Sequence, residues 1–556
     1  MSKTKSVVMT VILTIVFVIL CLMCVVPEFT IPFRVGGIWT RYNSVLSVIN
    51  YGSDLGGGYS AVYYPEGVIS AEEYSAQAET YEGNLEEALR KFYGDDETPA
   101  DELLADYEEN GDFDAKVEQA VYDRDEYLGT YVAYTSANFP ALEGVSEPAV
   151  YLDVDEVCAF AEGSTDRYVL SDEFKEDFER AVEIMADRFD KKVLSFLNVS
   201  VKDGCTIQVS VPYTVSDPDL LFEQLGYAGE FTLRANEEIT SRPLLRPFGE
   251  HTMADYFRGA SSMTSGGAGI VVLELTDLGR DTIYNITNEL RTNETDATLY
   301  FYVGDTQLIG LGLSDEDDGL DLRTLYISGS TDNPIEPEEA ENMAIVLDSC
   351  IEQGTMNMRF SAGSTVDYSV GSGEWAVTAF YIVFGAVMLA AFVFFLVRYR
   401  GLGLAHVFAF LSYLICMIMF VAFLPGMLLT ASGLAAVVLG AVVATLSNIF
   451  IFENIRREFA TGKTLDSAIK AGYKRSLAPV LDTHILLFLL ALVLFFISVS
   501  EVTMFCYVFL LAALTSGVSA LLLTRYYAYI LRGLVDRSRQ YKFYGFKREV
   551  SDDDEE

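Results

Sequence analysis

The chain has 556 residues and a formal net charge of −42, from 80 acidic and 38 basic side chains. So acidic a composition excludes a nucleic-acid-binding protein, because phosphate backbones attract basic surfaces. The length leaves room for a bundle of membrane helices together with one or two soluble domains.

Six apolar windows are long enough to cross a bilayer. They lie at residues 7–26, 376–397, 404–423, 427–452, 479–498 and 502–523. One span is therefore followed by a long, mostly polar segment and then by five closely spaced spans. The first span has an alternative interpretation as a cleaved signal peptide. Its apolar run is longer than a signal core and no small-x-small site follows it before Pro27, so we favour a retained anchor.

The distribution of lysine and arginine predicts the orientation. Basic residues occur before the first span, after the second, after the fourth and after the sixth, which places these four segments and both termini on the cytoplasmic side. The predicted domains are an anchor at 1–26, an extracytoplasmic domain at 27–373, a five-span bundle at 374–530 with a cytoplasmic loop at 453–478, and a cytoplasmic tail at 531–556.

The outer segment alternates helical and strand patterns. After an acidic, helix-prone insert at about 70–155, the spacing predicts a helix at 173–189, a hairpin at 197–211, a helix at 217–225 and a strand at 230–234. A similar order follows at 269–360. The order predicts an α+β domain of two ferredoxin-like lobes, a base and a head. Exposed strand edges of such lobes can bind extended peptides.

Neither a metal site nor an enzyme is expected. The outer cysteines Cys158, Cys205 and Cys350 are odd in number and widely spaced, which argues against a disulfide framework, although one pair could form. The three histidines, His251, His406 and His484, are scattered along the sequence, so a zinc site is not expected. Calcium binding at residues 315–321 is an alternative to a solvated acidic surface. No nucleophile with a base and no phosphate-binding loop is found, and no cofactor is predicted.

Three polar residues lie among apolar ones in the membrane segments: Asn448 in the fourth span and Asp482 and His484 in the fifth. Ionisable groups at membrane depth are costly, which marks them as candidates for a proton relay or a polar contact between helices. Asp482 could instead cap the start of its helix. For Asn448 a hydrogen bond between helices is favoured over ion binding.

The motifs of the chain resemble those of the SecD family of protein-export membrane components, which belongs to the resistance-nodulation-division superfamily. Gly52, Asp54, Gly57 and Gly58 match a glycine-rich motif before the first outer strand. The segment 399–405, Y-R-G-L-G-L-A, matches the turn after the second span. Further matches lie at the end of the fourth span, in the connector that follows it, and at Leu481-Asp482. The resemblance covers most of the chain except the insert.

Two departures from the family pattern concern the membrane residues. The family has D-A-N where this chain has Leu446-Ser447-Asn448, so the acid of the fourth span is absent. The family motif D-x-N-x-T-T reads Asp482-Thr-His484-Ile-Leu-Leu here. The missing acid is the usual candidate for proton coupling in the superfamily, so the acid that couples would lie on a partner, or the chain would work without coupling.

The resemblance implies an accessory subunit of the Sec translocase in the bacterial cytoplasmic membrane. Its implied partners are a SecF-like six-span subunit, the SecYEG translocon, secreted preproteins and membrane lipid, and its implied energy source is the proton-motive force. Two alternatives remain: a homodimeric exporter of small molecules or lipids from the same superfamily, and a membrane scaffold protein that has lost transport.

Overall fold

The computed structural model describes residues 3–25, 29–35, 38–42, 44–45, 48–140, 150–192, 198–236, 242–249, 251–293, 298–313, 323–329, 334–368, 373–424, 426–498, 500–535 and 540–545. Its helices are α1 (Lys3–Val25), α2 (Ser53–Gly56), α3 (Ala71–Tyr93), α4 (Ala100–Asn110), α5 (Ala115–Thr130), α6 (Val154–Val157), α7 (Asp172–Lys192), α8 (Pro218–Leu225), α9 (Met253–Tyr256), α10 (Asp277–Asn293), α11 (Pro337–Glu352), α12 (Gly373–Tyr399), α13 (Gly401–Phe423), α14 (Ala431–Ala460), α15 (Leu465–Ile497), α16 (Ser500–Val518), α17 (Thr524–Arg532) and α18 (Gln540–Phe543). A π-helical turn, Ser519–Leu523, joins α16 to α17.

The strands are β1 (Phe29–Val35), β2 (Ile38–Tyr42), β3 (Gly58–Pro65), β4 (Val68–Ser70), β5 (Tyr131–Ala133), β6 (Val150–Asp153), β7 (Cys158–Phe160), β8 (Tyr168–Leu170), β9 (Asn198–Lys202), β10 (Thr206–Pro212), β11 (Phe231–Arg234), β12 (Phe257–Ser265), β13 (Ala268–Leu275), β14 (Thr298–Val303), β15 (Thr306–Gly312), β16 (Thr324–Ser328), β17 (Phe360–Ala362) and β18 (Val366–Tyr368).

Five helical segments are long and apolar enough to cross a membrane: Thr378–Tyr399, Gly401–Phe423, Ala431–Ala460, Leu465–Ile497 and Val502–Arg532. A shorter apolar helix, Thr4–Leu20, precedes them within the described residues. The one-plus-five arrangement of apolar segments agrees with the sequence. The connector at 453–478 is helical in the structure except at residues 461–464, and Thr464 caps α15 by accepting a hydrogen bond from the Ser467 amide.

We call the part of the chain between α1 and α12 the outer domain. Its first sheet has the strand order β17-β3-β10-β9, and β18 also pairs with β3. The hairpin of β9 and β10 forms as the sequence predicts, around the turn at Asp203, which adopts a positive φ of 52°. The strand β11, which the sequence analysis assigned to the same unit, pairs instead with β14 in another sheet, so that assignment was wrong. The ferredoxin-like description of the lobes stays a prediction.

The second half of the outer domain contains two three-stranded sheets, β11-β14-β15 and β12-β13-β16. The sequence analysis missed β12, which pairs with β13. Most residues of β12 are small or polar and lie exposed, so the strand lacks the alternating apolar pattern. Buried side chains of these sheets and of the first sheet form one contiguous core, which includes Ile207, Phe231, Leu273 and Val346. The two predicted lobes therefore share their core, and α11 lies across both.

The acidic insert folds as three helices, α3, α4 and α5, on the small sheet β4-β6-β5. Ser70 caps α3 by accepting from the Glu73 amide, and Gly94 ends it in the left-handed conformation. The helices enclose their own small core of Leu85, Leu89, Leu103, Tyr107 and Val117. The described part of the insert is thus mainly helical, as its helix-prone pattern suggested.

The three outer cysteines are free thiols in the structure. Burial raises the pKa of the Cys158 thiol to about 11 and also raises the pKa values of Cys205 and Cys350. Buried thiols of this kind react slowly, because the thiolate is the reactive form. Within the described ranges no cluster of three or more His, Cys, Asp or Glu side chains could hold a metal ion, and residues 315–321 lie outside those ranges.

One buried cation ties the outer helices together. The Arg188 side chain on α7 is fully buried and donates to the backbone carbonyls of Leu225 and Tyr227, at 3.0 and 2.6 Å. It also donates to Ser349 Oγ on α11 at 3.1 Å. The guanidinium thus satisfies the carbonyls where α8 ends and links them to α7 and α11.

Replacing Arg188 by alanine is expected to cost about 3 kcal/mol of outer-domain stability, because buried carbonyls lose their donor and a cavity opens. Hydrogen exchange of α7 and α11 in the detergent-solubilised chain would measure the loss. Arg180→Ala is the matched control on the same helix, since Arg180 is exposed and donates a hydrogen bond to the Gln353 carbonyl. Equal effects of the two variants would contradict the proposed role of Arg188.

Candidate functional site

The glycine-rich motif lies where the outer domain meets the membrane helices. Tyr51 and Leu429 form a parallel β-bridge in front of α14. In it the Gly52 amide donates to the Leu429 carbonyl at 3.0 Å, and the Leu429 amide donates to the Asn50 carbonyl at 2.8 Å. We call this contact between residues 50–58 and 429–431 the joint.

Within the joint, an outer-domain carboxylate caps a membrane helix. Asp54 Oδ2 accepts a hydrogen bond from the Ala431 amide, the first residue of α14, at 2.6 Å. Thr430 Oγ1 accepts from the Gly433 amide at 2.9 Å and is the N-cap proper. The N-terminus of a helix carries partial positive charge and free N–H groups, so a carboxylate there is stabilising. Asp54 therefore fastens the outer domain to α14.

Steric constraints explain why glycine occupies these positions of the motif. A Cβ on Gly52 would lie 2.7 Å from Thr430 Cγ2, and one on Gly58 would lie 1.9 Å from the Val211 carbonyl oxygen. Gly57 has a φ of +77°, which favours glycine. The motif thus lets the backbone approach both α14 and β10 closely.

The polar membrane residues lie on two helices. Asn448, on α14, is fully buried, and its amide nitrogen donates to the Ala444 carbonyl of the same helix at 3.0 Å. Asn448 Oδ1 is buried and has no hydrogen-bond partner in the described part of the chain. The structure therefore shows a bond within α14 where a bond between helices was favoured.

His484, on α15, is 5% exposed. Its Nδ1 lies 2.8 Å from the Val480 carbonyl, an acceptor, so Nδ1 carries the hydrogen, and Nε2 is the acceptor of the neutral ring. Nε2 is buried without a partner among the described residues. Gly517 of α16 makes room for the ring, because a Cβ there would lie 3.0 Å from His484 Cδ2.

Asp482 is exposed and points away from His484. The two residues are two positions apart on one helix, which turns their side chains about 200° from each other. The helix-cap interpretation of Asp482 is wrong, because α15 begins at Leu465 and continues through Pro479. The three candidate residues are therefore not hydrogen-bonded to one another in this chain.

The position of the missing acid also faces outward. Leu446 is 59% exposed and belongs to a stripe on α14 that includes Leu439, Val442 and Phe450. Asp482 lies about 10 Å beyond Arg475 along α15, which places its carboxylate inside the apolar zone. An exposed carboxylate at that depth is unfavourable unless another group covers it.

Two polar contacts between membrane helices were missed by the sequence analysis. Asn454 of α14 donates to Ser476 Oγ of α15 at 2.8 Å, with both residues buried. At the end of α12 the Tyr399 hydroxyl donates to Glu453 Oε1 at 2.9 Å. A small polar residue on each of two neighbouring spans was the available signal for the first contact.

Comparison with known proteins gives a consistent result, although no family model matches the chain. The protein translocase subunit SecD of Acidaminococcus fermentans is 29% identical over 202 residues, 36% of this chain and 46% of that protein. The protein translocase subunit SecDF of Bacillus subtilis is 29% identical over 191 residues, 34% of this chain and 25% of that protein. The matched segments thus span less than half of each relative.

A crystal structure of SecDF in a super-membrane-facing form has the same fold, with a TM-score of 0.55 and 16% identity over 98% of this chain and 59% of that one. The fold defines a membrane-integral protein with five long apolar helices, a shorter apolar helix at the N-terminus and a β-rich domain. Segments of the chain are thus similar in sequence to the SecD and SecDF subunits, and the fold of the chain is similar to that of SecDF.

Removing the Asp54 carboxylate is expected to loosen the start of α14. An N-cap interaction is worth about 1 kcal/mol, so the Ala431 amide of Asp54→Ala should exchange about fivefold faster. Asp54→Asn should retain part of the protection, because the amide oxygen still accepts. Asp217→Ala is the matched control, since Asp217 caps α8 by accepting from the Leu220 amide. Unchanged exchange at Ala431 in Asp54→Ala would refute the cap.

Proposed function

We propose that the chain is an accessory subunit of the Sec protein translocase and assists preprotein movement on the outer side of the membrane. The observation that carries the proposal is the joint, in which the family's glycine-rich motif ties the outer domain to α14. Sequence similarity to the protein translocase subunits SecD and SecDF supports the proposed assignment to the Sec translocase. The distribution of basic residues supports cytoplasmic termini and an extracytoplasmic outer domain.

The joint provides a mechanical route between the membrane and the outer domain. A shift of α14 along or about its axis carries the Ala431 amide with it and pulls on Asp54. Asp54 lies directly before β3, which pairs with β10, β17 and β18 in the first outer sheet. Movement of α14 is thereby passed to a sheet that reaches the outer core without an intervening flexible loop.

We propose further that a SecF-like subunit covers the stripe on α14 and the part of the α15 surface that carries Asp482 and Leu486. Leu446 and Asp482 both lie on these outward faces, and the carboxylate at membrane depth requires a polar or cationic neighbour. The buried Nε2 of His484 and Oδ1 of Asn448 likewise lack partners among the described residues. A partner that carries the coupling acid would complete the site that Leu446 leaves incomplete here.

Photo-cross-linking tests the partner. A photoreactive amino acid at Leu446 is expected to capture a six-span membrane subunit in intact membranes, and affinity purification should recover translocon subunits. Leu389 of α12 is the matched control, because it is also exposed and apolar but lies outside the stripe. Cross-links from position 446 to a second copy of this chain alone would support the homodimeric exporter and reject the proposal.

Proton coupling is tested by export. Asp482→Asn is expected to slow secretion of a signal-peptide reporter severalfold and to reduce its dependence on the proton-motive force, because a neutral amide cannot exchange the proton. Asp112→Asn, at an exposed position of the insert, should leave secretion unchanged. An unaltered rate for Asp482→Asn, at equal protein level, would show that Asp482 does not couple.

A further inference from the structure

A groove of 760 Å³ lies on the surface of the bundle. One side is formed by α15, and the other by the continuous helical segment of α16, the π-helical turn and α17. We call it the α15–α17 groove. Lys470, Lys474 and Arg525 line one end of the groove, and its apolar walls include Leu477, Leu514 and Val518. From Lys470 to Leu489 the groove follows α15 for about 28 Å, nearly the thickness of a hydrocarbon core.

The charge of the groove is concentrated at one end. Lys470 and Lys474 lie one helical turn apart on α15, and Arg525 faces them from α17. All three side chains are exposed, and the lining contains no carboxylate. Among the ion pairs of the described residues, none involves these three cations, whereas the neighbouring Arg475 lies 3.5 Å from Glu458. The end of the groove therefore has an unneutralised positive charge.

A buried hydroxyl at the same end also lacks a partner. Tyr473 is 4% exposed, and its hydroxyl has no hydrogen-bond partner in the described residues. The Arg525 guanidinium lies 5.8 Å from the centre of the Tyr473 ring, which holds the cation at the groove. An anionic oxygen bound by the cations would offer Tyr473 the acceptor that it lacks.

Beyond the cations the walls are apolar. Leu477, Leu481, Ile485 and Phe488 form one side, and residues of α16 and the π-helical turn form the other. His484 is the single polar side chain along this part of the lining, about 15 Å from Lys474 along the helix. A molecule that fits must be anionic at one end and a long hydrocarbon at the other.

We propose that the α15–α17 groove binds an anionic phospholipid, with the phosphate at Lys470, Lys474 and Arg525 and an acyl chain along the apolar walls. The predicted orientation places the cationic end at the cytoplasmic leaflet, where anionic lipid headgroups attract basic residues next to membrane helices. A helix of another chain would match the apolar walls but would not by itself neutralise the three cations. This site is independent of the proposed role in translocation.

Native mass spectrometry of the full chain in detergent tests the proposal, with titration by phosphatidylglycerol and by phosphatidylcholine. Phosphatidylglycerol should bind more tightly. K470Q/K474Q should weaken its binding about 30-fold, from about 1 kcal/mol per cation at 1.4 kcal/mol per tenfold, and should leave phosphatidylcholine binding unchanged. Both lysines are exposed, so the variant is expected to fold.

The charge-matched control is R457Q/R475Q, which removes two exposed cations from the same end of the bundle but outside the groove. It should weaken phosphatidylglycerol binding by no more than a few-fold. V518W, which fills the apolar wall, should weaken binding while all three cations remain.

Equal affinity for the two lipids, or equal losses in K470Q/K474Q and R457Q/R475Q, would overturn the proposal. So would a photoreactive group at Leu514 that captures a polypeptide instead of lipid in native membranes, because the occupant would then be a protein helix. Capture of lipid at Leu514, together with the charge dependence above, would support it.

Discussion

The carboxylate of Asp54 at the N-terminus of α14 links the outer domain of this protein to its membrane helices. The first turn of a long membrane helix has several backbone N–H groups that need hydrogen-bond acceptors. The outer domain supplies one of these acceptors, the Asp54 carboxylate. Because the Gly52 amide and the Leu429 amide add two backbone hydrogen bonds beside it, the outer domain is fixed to α14 in position and in angle. Flexible linkers would have left that relation undefined.

From this joint, α14 continues through a closely packed bundle. The Tyr413 hydroxyl of α13 donates to the Val437 carbonyl at 2.7 Å, and a Cβ on Gly440 would collide with that hydroxyl and with Ala512 of α16. Farther along, Asn454 bonds to Ser476 of α15. Contacts of this kind hold α14 closely against α13, α15 and α16 over most of its length.

The sequence predicted the apolar segments, the helix-prone insert, the helix at 173–189 and the hairpin at 197–211, because each has a strong period or a clear turn. It failed where the decisive partner is distant in the chain. The pairing of β11 with β14 depends on a contact across the fold that no local pattern specifies. The same holds for the site: Asp482 and His484 are close in sequence, yet the uninterrupted helix separates their side chains. The predicted fifth span begins at residue 479, whereas α15 begins at Leu465 and continues through Pro479.

The π-helical turn at Ser519–Leu523 has a consequence for the angular position of everything that follows it. A π-bulge contains one extra residue, which advances the later side chains by about 100° relative to an uninterrupted α-helix. Thr524 Oγ1 donates to the Ser519 carbonyl at 2.9 Å, and Ser519 Oγ donates to the Ala409 carbonyl of α13 at 2.8 Å, so the wide turn is held in place. The directions in which the side chains of Arg525 and Tyr529 point therefore depend on this one additional residue. Its deletion would turn the cation of α17 away from the groove without altering a single charge.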